Sequence, residues 1–494
     1  MAFLDSSIVN VAIPKLMATF GVGTDTIEWV STAYLLSAGV MIPITGFLSD
    51  WLGLKKMYIF SLSVFTLGSA LCGMSSNEKI LIASRIIQAI GGGALMPVTT
   101  AFVYRIVARE KVGMALGIRG ISMAMAPAMG PALGGYLIDR MDWQVIFTLN
   151  IPVGIITIIL AILMLPALPP HPAKKFDLPG LIFCAVGCFT LLLALNQGEK
   201  DGWSSYFIVM LLTTGVFSLI LFVIRELSVE TPALDISLLK SITLAASFAC
   251  TAAVTISMYA SIFLIPIFVQ DLQGYSPYRA GLLMMPAAVV MGIMTPLAGR
   301  LFDRFGARPL CLIGMPIMAY TTYLIAKINL STTLQHLQLL LALRSLGMGL
   351  FMLPITAAGL NTVPQRLMNQ ATALNSLVRQ ISGSLGVAYF TYLMTSRTTY
   401  HMALNSWNIT GTMPALPLFV EKVKWLAAEH GLSFGGTIAG AQKLAMAILA
   451  QTARNTSTVQ AMDDALLVSS ILVILTIPLT FLLKKPRPHV KLDR

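Results

Sequence analysis

The stretch GFLSDWLGLKK, Gly46 to Lys56, recurs in the second half of the chain as GRLFDRFGARP, Gly299 to Pro309. Both copies have two glycines and an aspartate at the same spacing, and both lie in short hydrophilic joints between long apolar runs. Paired internal repeats are typical of secondary transporters, in which two related halves enclose a site near the middle of the membrane. The repeated joint therefore predicts a chain built from two related membrane units.

The composition of the chain is that of a polytopic membrane protein. Hydrophobic residues make up 56% of its 494 residues, charged residues make up 11%, and the mean hydropathy is +0.80. These values exclude a water-soluble domain. A helix needs about 20 apolar residues to cross the roughly 30 Å hydrocarbon core, so runs of that length predict membrane spans. We predict fourteen, near residues 1–17, 29–49, 57–75, 80–103, 113–137, 144–166, 178–196, 206–225, 243–270, 280–301, 309–328, 336–357, 371–395 and 465–483.

The repeat extends beyond the joint, because arginines inside apolar runs recur at nearly the same spacing. Arg344 follows Arg85 by 259 residues and Arg379 follows Arg119 by 260, close to the 253 residues that separate the two joints. Each pair falls eight predicted helices apart, so two helices are inserted between two six-helix halves. The predicted fold is an all-α integral membrane protein with the domains 1–166, a six-helix bundle; 167–241, two inserted helices and a cytoplasmic joint; and 242–494, a second six-helix bundle with a long external loop at 396–464.

The basic residues are distributed by side of the membrane, although the net charge is +12. Placing the repeated joint in the cytoplasm puts most lysines and arginines of the loops, and those of the C-terminal tail, on that side. This asymmetry predicts a multi-pass protein of the cytoplasmic membrane with both termini in the cytoplasm. A nucleic-acid partner is not expected, because the basic residues form no single stripe.

The cysteines and histidines give no sign of a metal or cofactor site. All five cysteines fall in or beside predicted membrane helices, and the five histidines fall in loops, in the tail or at the outer end of a helix. Without an imidazole at mid-depth, ligation of haem or of a metal is not predicted. We therefore expect no metal and no cofactor, and a membrane enzyme or a sensor is less favoured than a transporter.

Asp5 is the acidic residue with the strongest indication of a function. Of 21 acidic residues it alone lies within an apolar run, where a carboxylate is costly and usually functional. Burial disfavours the charged form of a carboxyl group and a nearby cation favours it, so Asp5 is predicted to bind and release protons. Arg85, in the fourth predicted helix, is its expected partner. The alternatives are that Asp5 caps the first helix, and that Arg85 faces a polar cavity, reaches the membrane surface or bonds backbone carbonyls.

Five stretches carry a resemblance to one family of transporters. They are 4–14, LDSSIVNVAIP; 46–56, the repeated joint; 85–93, RIIQAIGGG; 126–135, APAMGPALGG; and 142–154, DWQVIFTLNIPVG. On these motifs the chain resembles the major facilitator superfamily, and within it the fourteen-helix drug:proton antiporter branch of EmrB/QacA-type multidrug efflux permeases. Ala89 departs from the pattern, because glycine is common there. The resemblance implies two six-helix bundles with two inserted helices.

The resemblance also implies roles for particular residues. Proton coupling is assigned to Asp5 and Arg85. A conformational latch, in which a carboxylate faces helix N-termini or basic groups, is assigned to Gly46, Asp50, Gly53, Lys55, Lys56, Gly299, Asp303, Arg304, Gly306 and Arg308. The alternative for Asp50 is a solvated helix end. An antiporter helix, with small residues for close packing and prolines that bend it, carries Arg119, Pro127, Gly130, Pro131, Gly134 and Gly135. The polar residues within the membrane in the second half are Arg344, Asn375 and Arg379.

The first predicted helix is short at its N-terminal end. Asp5 lies four residues from Met1, whereas in the family about half of the helix precedes that carboxylate. At about 1.5 Å per residue, residues 1–17 reach about 25 Å, less than the roughly 30 Å core. We expect that the chain begins part-way into this helix, through a late start or as a fragment.

Proton-coupled efflux is the function that these features predict. Substrate is expected to bind between the halves, and protons entering from outside are exchanged for small lipophilic or cationic drugs by alternating access. The alternative within transport is an exporter of one physiological compound, such as a siderophore or an antibiotic. The expected partners are the substrate, protons and membrane lipid, with a periplasmic adaptor protein if the cell has two membranes.

Overall fold

The computed structural model describes residues 1–108, 111–167, 177–229, 234–407, 421–422 and 438–483, and its regular elements are helices. The first half contains α1 (Ala2–Phe20), α2 (Thr24–Ile27), α3 (Trp29–Leu52), α4 (Leu54–Gly73), α5 (Glu78–Ile106), α6 (Val112–Arg140), α7 (Val145–Thr148) and α8 (Asn150–Met164). The inserted pair is α9 (Leu178–Asp201) and α10 (Tyr206–Ser228). The second half contains α11 (Ile242–Ile267), α12 (Pro277–Phe305), α13 (Ala307–Ile325), α14 (Leu334–Leu360), α15 (Met368–Trp407) and α16 (Ile438–Thr476).

Polar side chains at the helix starts fix several boundaries. At α5, α9, α10, α12 and α14 the N-cap side chain accepts a hydrogen bond from a backbone N–H of the first turn, through Asn77, Asp177, Ser205, Ser276 and Thr333 respectively. Such caps satisfy backbone donors that have no partner within the helix. These five helices begin within three residues of the predicted starts.

Each copy of the repeated joint is a one-residue link between two helices. Gly53 joins α3 to α4 with a φ of 83°, and Gly306 joins α12 to α13 with a φ of 81°. A residue with a Cβ adopts a positive φ only at a cost, so this turn requires glycine. The two joints therefore share the same backbone conformation, as a duplication predicts.

The two halves meet through equivalent helices. α3 of the first half packs against α15 of the second, and α12 of the second half packs against α6 of the first. We call this contact the seam. The inserted helix α9 packs against both α3 and α15 as well as against α10, so the inserted pair lies beside the seam.

Ten helical segments in the described ranges are long and apolar enough to cross a membrane by length and composition. They are Thr24–Leu52, Leu54–Gly73, Glu78–Ile106, Val145–Met164, Leu178–Asp201, Tyr206–Ser228, Ile242–Leu272, Tyr278–Phe305, Leu334–Leu360 and Ala445–Leu482. The protein is thus a multi-pass helical membrane protein, but a total of fourteen spans is not established. The other four predicted segments form α1, α6, α13 and α15, which are not among the ten. In α15, Asn369, Gln370 and Asn375 lower the hydropathy while being buried inside the protein.

The long external loop predicted at 396–464 is helical at both ends. α15 continues to Trp407 and α16 begins at Ile438, so both helices run beyond the predicted spans. They pack against each other there, and Asn405 Nδ2 donates to Ser457 Oγ at 2.8 Å. The prediction missed these extensions because a polar helical pair lacks the long apolar run that was used to identify helices.

Candidate functional site

Asp5 of α1 and Arg85 of α5 form a buried ion pair. Arg85 Nη1 lies 2.5 Å from Asp5 Oδ2, and the two residues are only 1% and 2% exposed. Arg85 Nε also donates to the carbonyl oxygen of Val30 at 3.2 Å. Either charge alone would be costly in such surroundings, so the pair is held by mutual neutralisation. The structure therefore places Asp5 and Arg85 together, as the sequence analysis expects. The hydrogen bond from Arg85 to a backbone carbonyl, which was one of the alternatives, is also present.

Amide side chains complete the surroundings of the Asp5 carboxylate. Asn150 Nδ2, at the start of α8, donates to Asp5 Oδ1 at 2.8 Å, and Gln88 Nε2 donates to the same oxygen at 3.0 Å. Gln88 lies one turn after Arg85 on the same face of α5, so its Oε1 accepts from Arg85 Nη1 at 2.5 Å. Its amide nitrogen also donates to Ser69 Oγ of α4 at 2.6 Å. We call these five residues the acidic cage.

Aromatic rings cover the guanidinium of Arg85. Its central carbon lies 4.1 Å from the centre of the Tyr34 ring and 5.6 Å from that of Phe147. A cation is attracted to such ring faces, most strongly where water is excluded. The close approach of α3 and α5 depends on Gly92, because a Cβ there would lie 2.5 Å from the Tyr34 hydroxyl.

The second half contains an equivalent arrangement in which the described partners are all neutral. Arg344 of α14 is 5% exposed, and its Nε donates to Thr322 Oγ1 at 3.1 Å. Its Nη2 donates to the Ser257 carbonyl oxygen at 3.4 Å, and the Ser257 hydroxyl lies 2.6 Å from that of Ser469. These residues lie on α14, α13, α11 and α16, the counterparts of α5, α4, α1 and α8. We call them the neutral cage, and within the described ranges Arg344 forms no ion pair.

Asp50, near the end of α3, crosses the seam to α15. Its Oδ1 accepts from Asn369 Nδ2 at 2.7 Å and its Oδ2 accepts from Gln370 Nε2 at 3.0 Å. The Gln370 amide is held in one orientation because its Oε1 accepts from the Asp235 backbone N–H at 3.0 Å. Asp50 is 8% exposed, so these are buried, charge-assisted hydrogen bonds rather than contacts of a solvated helix end.

Asp303, near the end of α12, makes the equivalent contact in the opposite direction. Its two carboxylate oxygens accept from the backbone N–H groups of Gly113 at 3.1 Å and Met114 at 3.2 Å. Both donors lie in the first turn of α6, where unpaired N–H groups and the helix dipole favour an anion. A Cβ at Gly113 would lie 2.5 Å from the Gly299 carbonyl oxygen, so the helices meet closely here. Each repeated aspartate therefore faces the N-terminal end of a helix in the other half.

The basic residues of the predicted latch make contacts with other groups in the described ranges. Lys55 Nζ donates to a carbonyl oxygen of α8 at 2.8 Å, and Arg308 donates to two carbonyl oxygens that follow α16, at 2.6 and 2.7 Å. The Arg304 guanidinium lies over the neighbouring Phe305 ring, and Lys56 is exposed. Lys55 and Arg308 therefore tie the joints to neighbouring segments of the same half.

Comparison with known proteins agrees with the helix order and the paired seam contacts. A sequence profile described as Major Facilitator Superfamily matches residues 1–387. The chain belongs to the major facilitator superfamily. The family and the fold are those of transporters, which are not enzymes.

Several relatives within the superfamily align over most of this chain. The transporter YhcA of Bacillus subtilis (strain 168), described as an uncharacterized MFS-type transporter, is 36% identical over 401 residues, covering 81% of this chain and 75% of the relative. The multidrug transporter protein MdtP of the same organism is 32% identical, covering 80% and 73%. The riboflavin transporter RibZ of Clostridioides difficile (strain 630) is also 32% identical, covering 82% and 88%. Among solved structures, the proton:xylose symporter XylE aligns with a TM-score of 0.58 over 97% of this chain and 94% of its own, at 12% identity, which shows the fold.

In this superfamily member, α6 packs closely on α1 through small residues. A Cβ at Gly134 would lie 3.1 Å from Ile8 Cγ2, and a Cβ at Gly130 would overlap the Ser7 side chain. Gly135 has open space around it. The side chains of Pro127 and Pro131 lie outside the described part of the structure. α6 thus contacts α1 in its own half and α12 across the seam.

The remaining polar residues predicted within the membrane lie apart from the acidic cage. Arg119 of α6 donates to the Met96 carbonyl oxygen at 3.3 Å. Arg379 of α15 is half-buried, and Asn375, one turn before it, is 6% exposed with no partner for its Oδ1.

The sequence missed the amide and aromatic members of the site. Asn150 lay within a motif that supports the family resemblance, but it received no role, and Tyr34 was not considered. An uncharged amide inside an apolar run is itself a signal of function, because lipid offers it no hydrogen-bond partner. That rule would have selected Asn150, whereas nothing local distinguishes Tyr34.

Proposed function

We propose that this transporter exports small organic molecules in exchange for protons, by alternating access between its two halves. The observation that carries the proposal is the acidic cage. A membrane-embedded carboxylate held by a cation and two amides is the kind of group that marks proton relays in transporters. The name of the relative MdtP supports export of drugs.

Protonation of Asp5 would remove the negative charge that balances Arg85. Because the cage joins α1, α4, α5 and α8, its charge affects how four helices of the first half pack. We propose that a proton on Asp5 and a bound substrate favour different conformers, which couples their opposite movements. A gradient of one pH unit supplies about 1.4 kcal/mol per proton, enough for about a tenfold substrate gradient at one-to-one exchange.

Asp50 and Asp303 would stabilise the conformer in which the repeated joints are closed. Both contacts cross the seam at the same end of the protein, so they must break when that end opens. Assigning the joints and both termini to the cytoplasm of a cytoplasmic-membrane protein makes the described conformer the one closed to the cytoplasm. In this mechanism the close-packed α6 forms part of the surface along which the two halves move against each other.

Export of one physiological compound is the second candidate. The relative RibZ carries the name of a single-compound transporter, and its identity to this chain equals that of MdtP. The sequence favours lipophilic or cationic drugs, but Asp5 is enclosed by its own partners and presents no open carboxylate to a cation in this conformer. An adaptor protein belongs to the proposal only for a cell with two membranes.

Substrate-dependent proton movement in everted vesicles tests the proposal. We expect substrates to release protons from acidified vesicles with the native chain and with Asp5→Glu, and not with Asp5→Asn. Exchange of labelled for unlabelled substrate without a gradient should persist in Asp5→Asn, because it needs no proton. The matched control is Asp25→Asn, since Asp25 is an exposed acid paired with Lys200 outside the cage. Proton release that survives Asp5→Asn would remove Asp5 from the mechanism.

A further inference from the structure

A short segment that follows the inserted pair, residues 234–240, reaches into the seam. We call it the strap. It begins at Leu234, continues as the 3₁₀ turn Ile236–Lys240 and leads into α11. Leu234 is only 1% exposed, although it lies outside any helix. Connecting segments usually run over the surface of a protein, so a fully buried leucine in one of them indicates a specific packing contact.

The side chain of Leu234 lies where α3 and α15 meet. A Cβ at Gly46 of α3 would lie 3.2 Å from Leu234 Cδ2 and 2.9 Å from the Ala373 Cβ of α15. Leu234 also belongs to a buried cluster that includes Ile42 of α3 and Leu377 of α15. The leucine therefore packs with residues of both halves, at the edge of the seam that α3 and α15 form.

Further along the strap, Leu238 packs against a second buried cluster that also joins the halves. This cluster includes Tyr104 of α5 and Val112 of α6 from the first half, and Phe248 of α11 and Leu360 of α14 from the second. The strap therefore lies across the seam and is packed against both halves in two places.

The backbone of the strap holds the Gln370 amide in place. The Asp235 N–H donates to Gln370 Oε1 at 3.0 Å, and Gln370 Nε2 donates to Asp50 Oδ2 at 3.0 Å. Because an amide side chain donates only through its nitrogen, the backbone bond fixes which way Gln370 turns. The strap is itself fixed by Glu226 of α10, whose Oε1 accepts from the Leu234 N–H at 3.3 Å. Successive hydrogen bonds therefore connect the inserted pair to Asp50.

The inserted pair is bonded to the first half along α9. Thr32 Oγ1 of α3 donates to Asn196 Oδ1 at 3.1 Å. One turn later on α9, Lys200 forms ion pairs with Asp25 and Glu28. We therefore expect α9 and α10 to move with the first half. The contacts between the strap and α15 must then break when the halves separate at this end.

The two edges of the duplicated seam differ at this point. A Cβ at Gly299, the counterpart of Gly46, would overlap the Gly113 carbonyl oxygen, so α12 and α6 meet backbone to backbone. At Gly46 the strap packs into the contact instead. We propose that Leu234 and Asp235 hold the seam closed by positioning Gln370 for Asp50, so that the inserted pair controls opening at this end of the protein. The inference rests on the proposed alternating access and gives the inserted pair a role in it.

The first test truncates the buried leucine. Spin labels at Lys56 and Arg366, which are exposed and lie in opposite halves, report the distance across the seam. Leu234→Ala should raise the ratio of open to closed protein about tenfold, because it leaves a cavity only while the seam is closed. The control Leu211→Ala makes a similar cavity in a cluster that α3, α9 and α10 alone supply. It should lower the melting temperature and leave the label distances unchanged.

The second test removes the backbone donor of the strap. The φ of Asp235 is −68°, which suits proline, so Asp235→Pro deletes the N–H that donates to Gln370. Asp235 also caps the turn that follows, because its Oδ1 accepts from the Ser237 N–H at 3.0 Å. Asp235→Ala loses this cap alone and is the matched control. We expect the open-to-closed ratio of Asp235→Pro to exceed that of Asp235→Ala about threefold.

The outcomes separate the strap from the proposed function. If Leu234→Ala lowers the melting temperature without changing the label distances, as Leu211→Ala should, the leucine has a purely structural role and the inference is overturned. Equal ratios for Asp235→Pro and Asp235→Ala would overturn the positioning of Gln370. The number of protons released per substrate should be unchanged in Leu234→Ala, because the acidic cage is intact. A native chain that moves substrate without protons would overturn the proposed exchange and leave the strap standing.

Discussion

Arg85 and Arg344 occupy equivalent places in the two halves, yet they are stabilised differently. Arg85 has a carboxylate at 2.5 Å, the amide oxygen of Gln88 and an aromatic cover, whereas Arg344 has a threonine hydroxyl and a serine carbonyl. The helices that supply these contacts correspond one to one. The duplicated fold therefore preserved the buried arginine while the groups around it diverged, which leaves a carboxylate in the cage of the first half.

The repeated joints show the opposite behaviour, because both halves kept the same chemistry. Asp50 and Asp303 each cross the seam to the N-terminal end of a helix in the other half, and Gly53 and Gly306 have φ angles of 83° and 81°. In the proposed mechanism both edges of the interface open and close together, so symmetry is useful there. The single proton site that we propose in the first half needs no symmetric partner.

The largest expected effect separates the two cages directly. Arg85→Gln would leave the buried Asp5 carboxylate without its cation, and we expect it to lower the free energy of unfolding by about 3–5 kcal/mol. Arg344→Gln removes a cation with only neutral described partners, so we expect a loss of about 1 kcal/mol. Denaturant unfolding in detergent measures both. The double variant Asp5→Asn with Arg85→Gln should recover part of the loss, and equal losses for the two single arginine variants would show that the cages are energetically alike.

An intermediate effect is expected at the aspartates of the seam. Asp50→Asn would keep one acceptor oxygen and set an amide N–H₂ against one of the two side-chain amides that donate to Asp50, so we expect it to disfavour the closed joint by about 1.5–3 kcal/mol. Asp303→Asn likewise keeps one acceptor oxygen, but it sets its N–H₂ against a backbone N–H of the α6 N-terminus and loses the charge, so we expect a cost of about 1.5–3 kcal/mol. Distances between spin labels at Lys56 and Arg366, which are exposed residues of opposite halves, measure the open fraction. A shift for one of the two variants without the other would contradict the equivalence of the two seam contacts.

The smallest effect is expected at the glycines of the joints. Gly53→Ala and Gly306→Ala should each lower the free energy of unfolding by about 1–2 kcal/mol, because both positions require a positive φ. The control is Gly202→Ala, which has a φ of 86° outside the repeat with open space around it. All three should lose similar stability, but only the two joint variants should change the label distances. A shift with Gly202→Ala would mean that the label distances report general destabilisation.

Much of the fold could be predicted because membrane helices are local in sequence. Long apolar runs, capping residues and the repeated joint placed most helices within a few residues, since lipid forces backbone groups to pair within each helix. The prediction was weaker where helices are polar inside the protein, as in α15, and it was wrong for the polar extensions of α15 and α16. There, hydrogen bonds between distant segments replace apolar content as the stabilising contact.

The candidate site was only partly predictable. The charged residues were predicted from the sequence, because a charged residue inside an apolar run is recognisable from the sequence alone. Asn150 is 145 residues from Asp5 and donates to it at 2.8 Å, a contact that no local pattern encodes.

By itself the sequence determined that this protein lies in a membrane, that it is built from two related halves, and which acid and arginines lie within apolar runs. These properties follow from the composition and from the internal repeat, because the hydrophobic effect and the hydrogen bonding of the backbone depend on residues that are close in sequence. Only the tertiary structure decided that the charge of Arg85 is neutralised and that Arg344 has neutral partners among the described residues. Electrostatic interaction depends on distance and burial in three dimensions, and helix packing alone sets both.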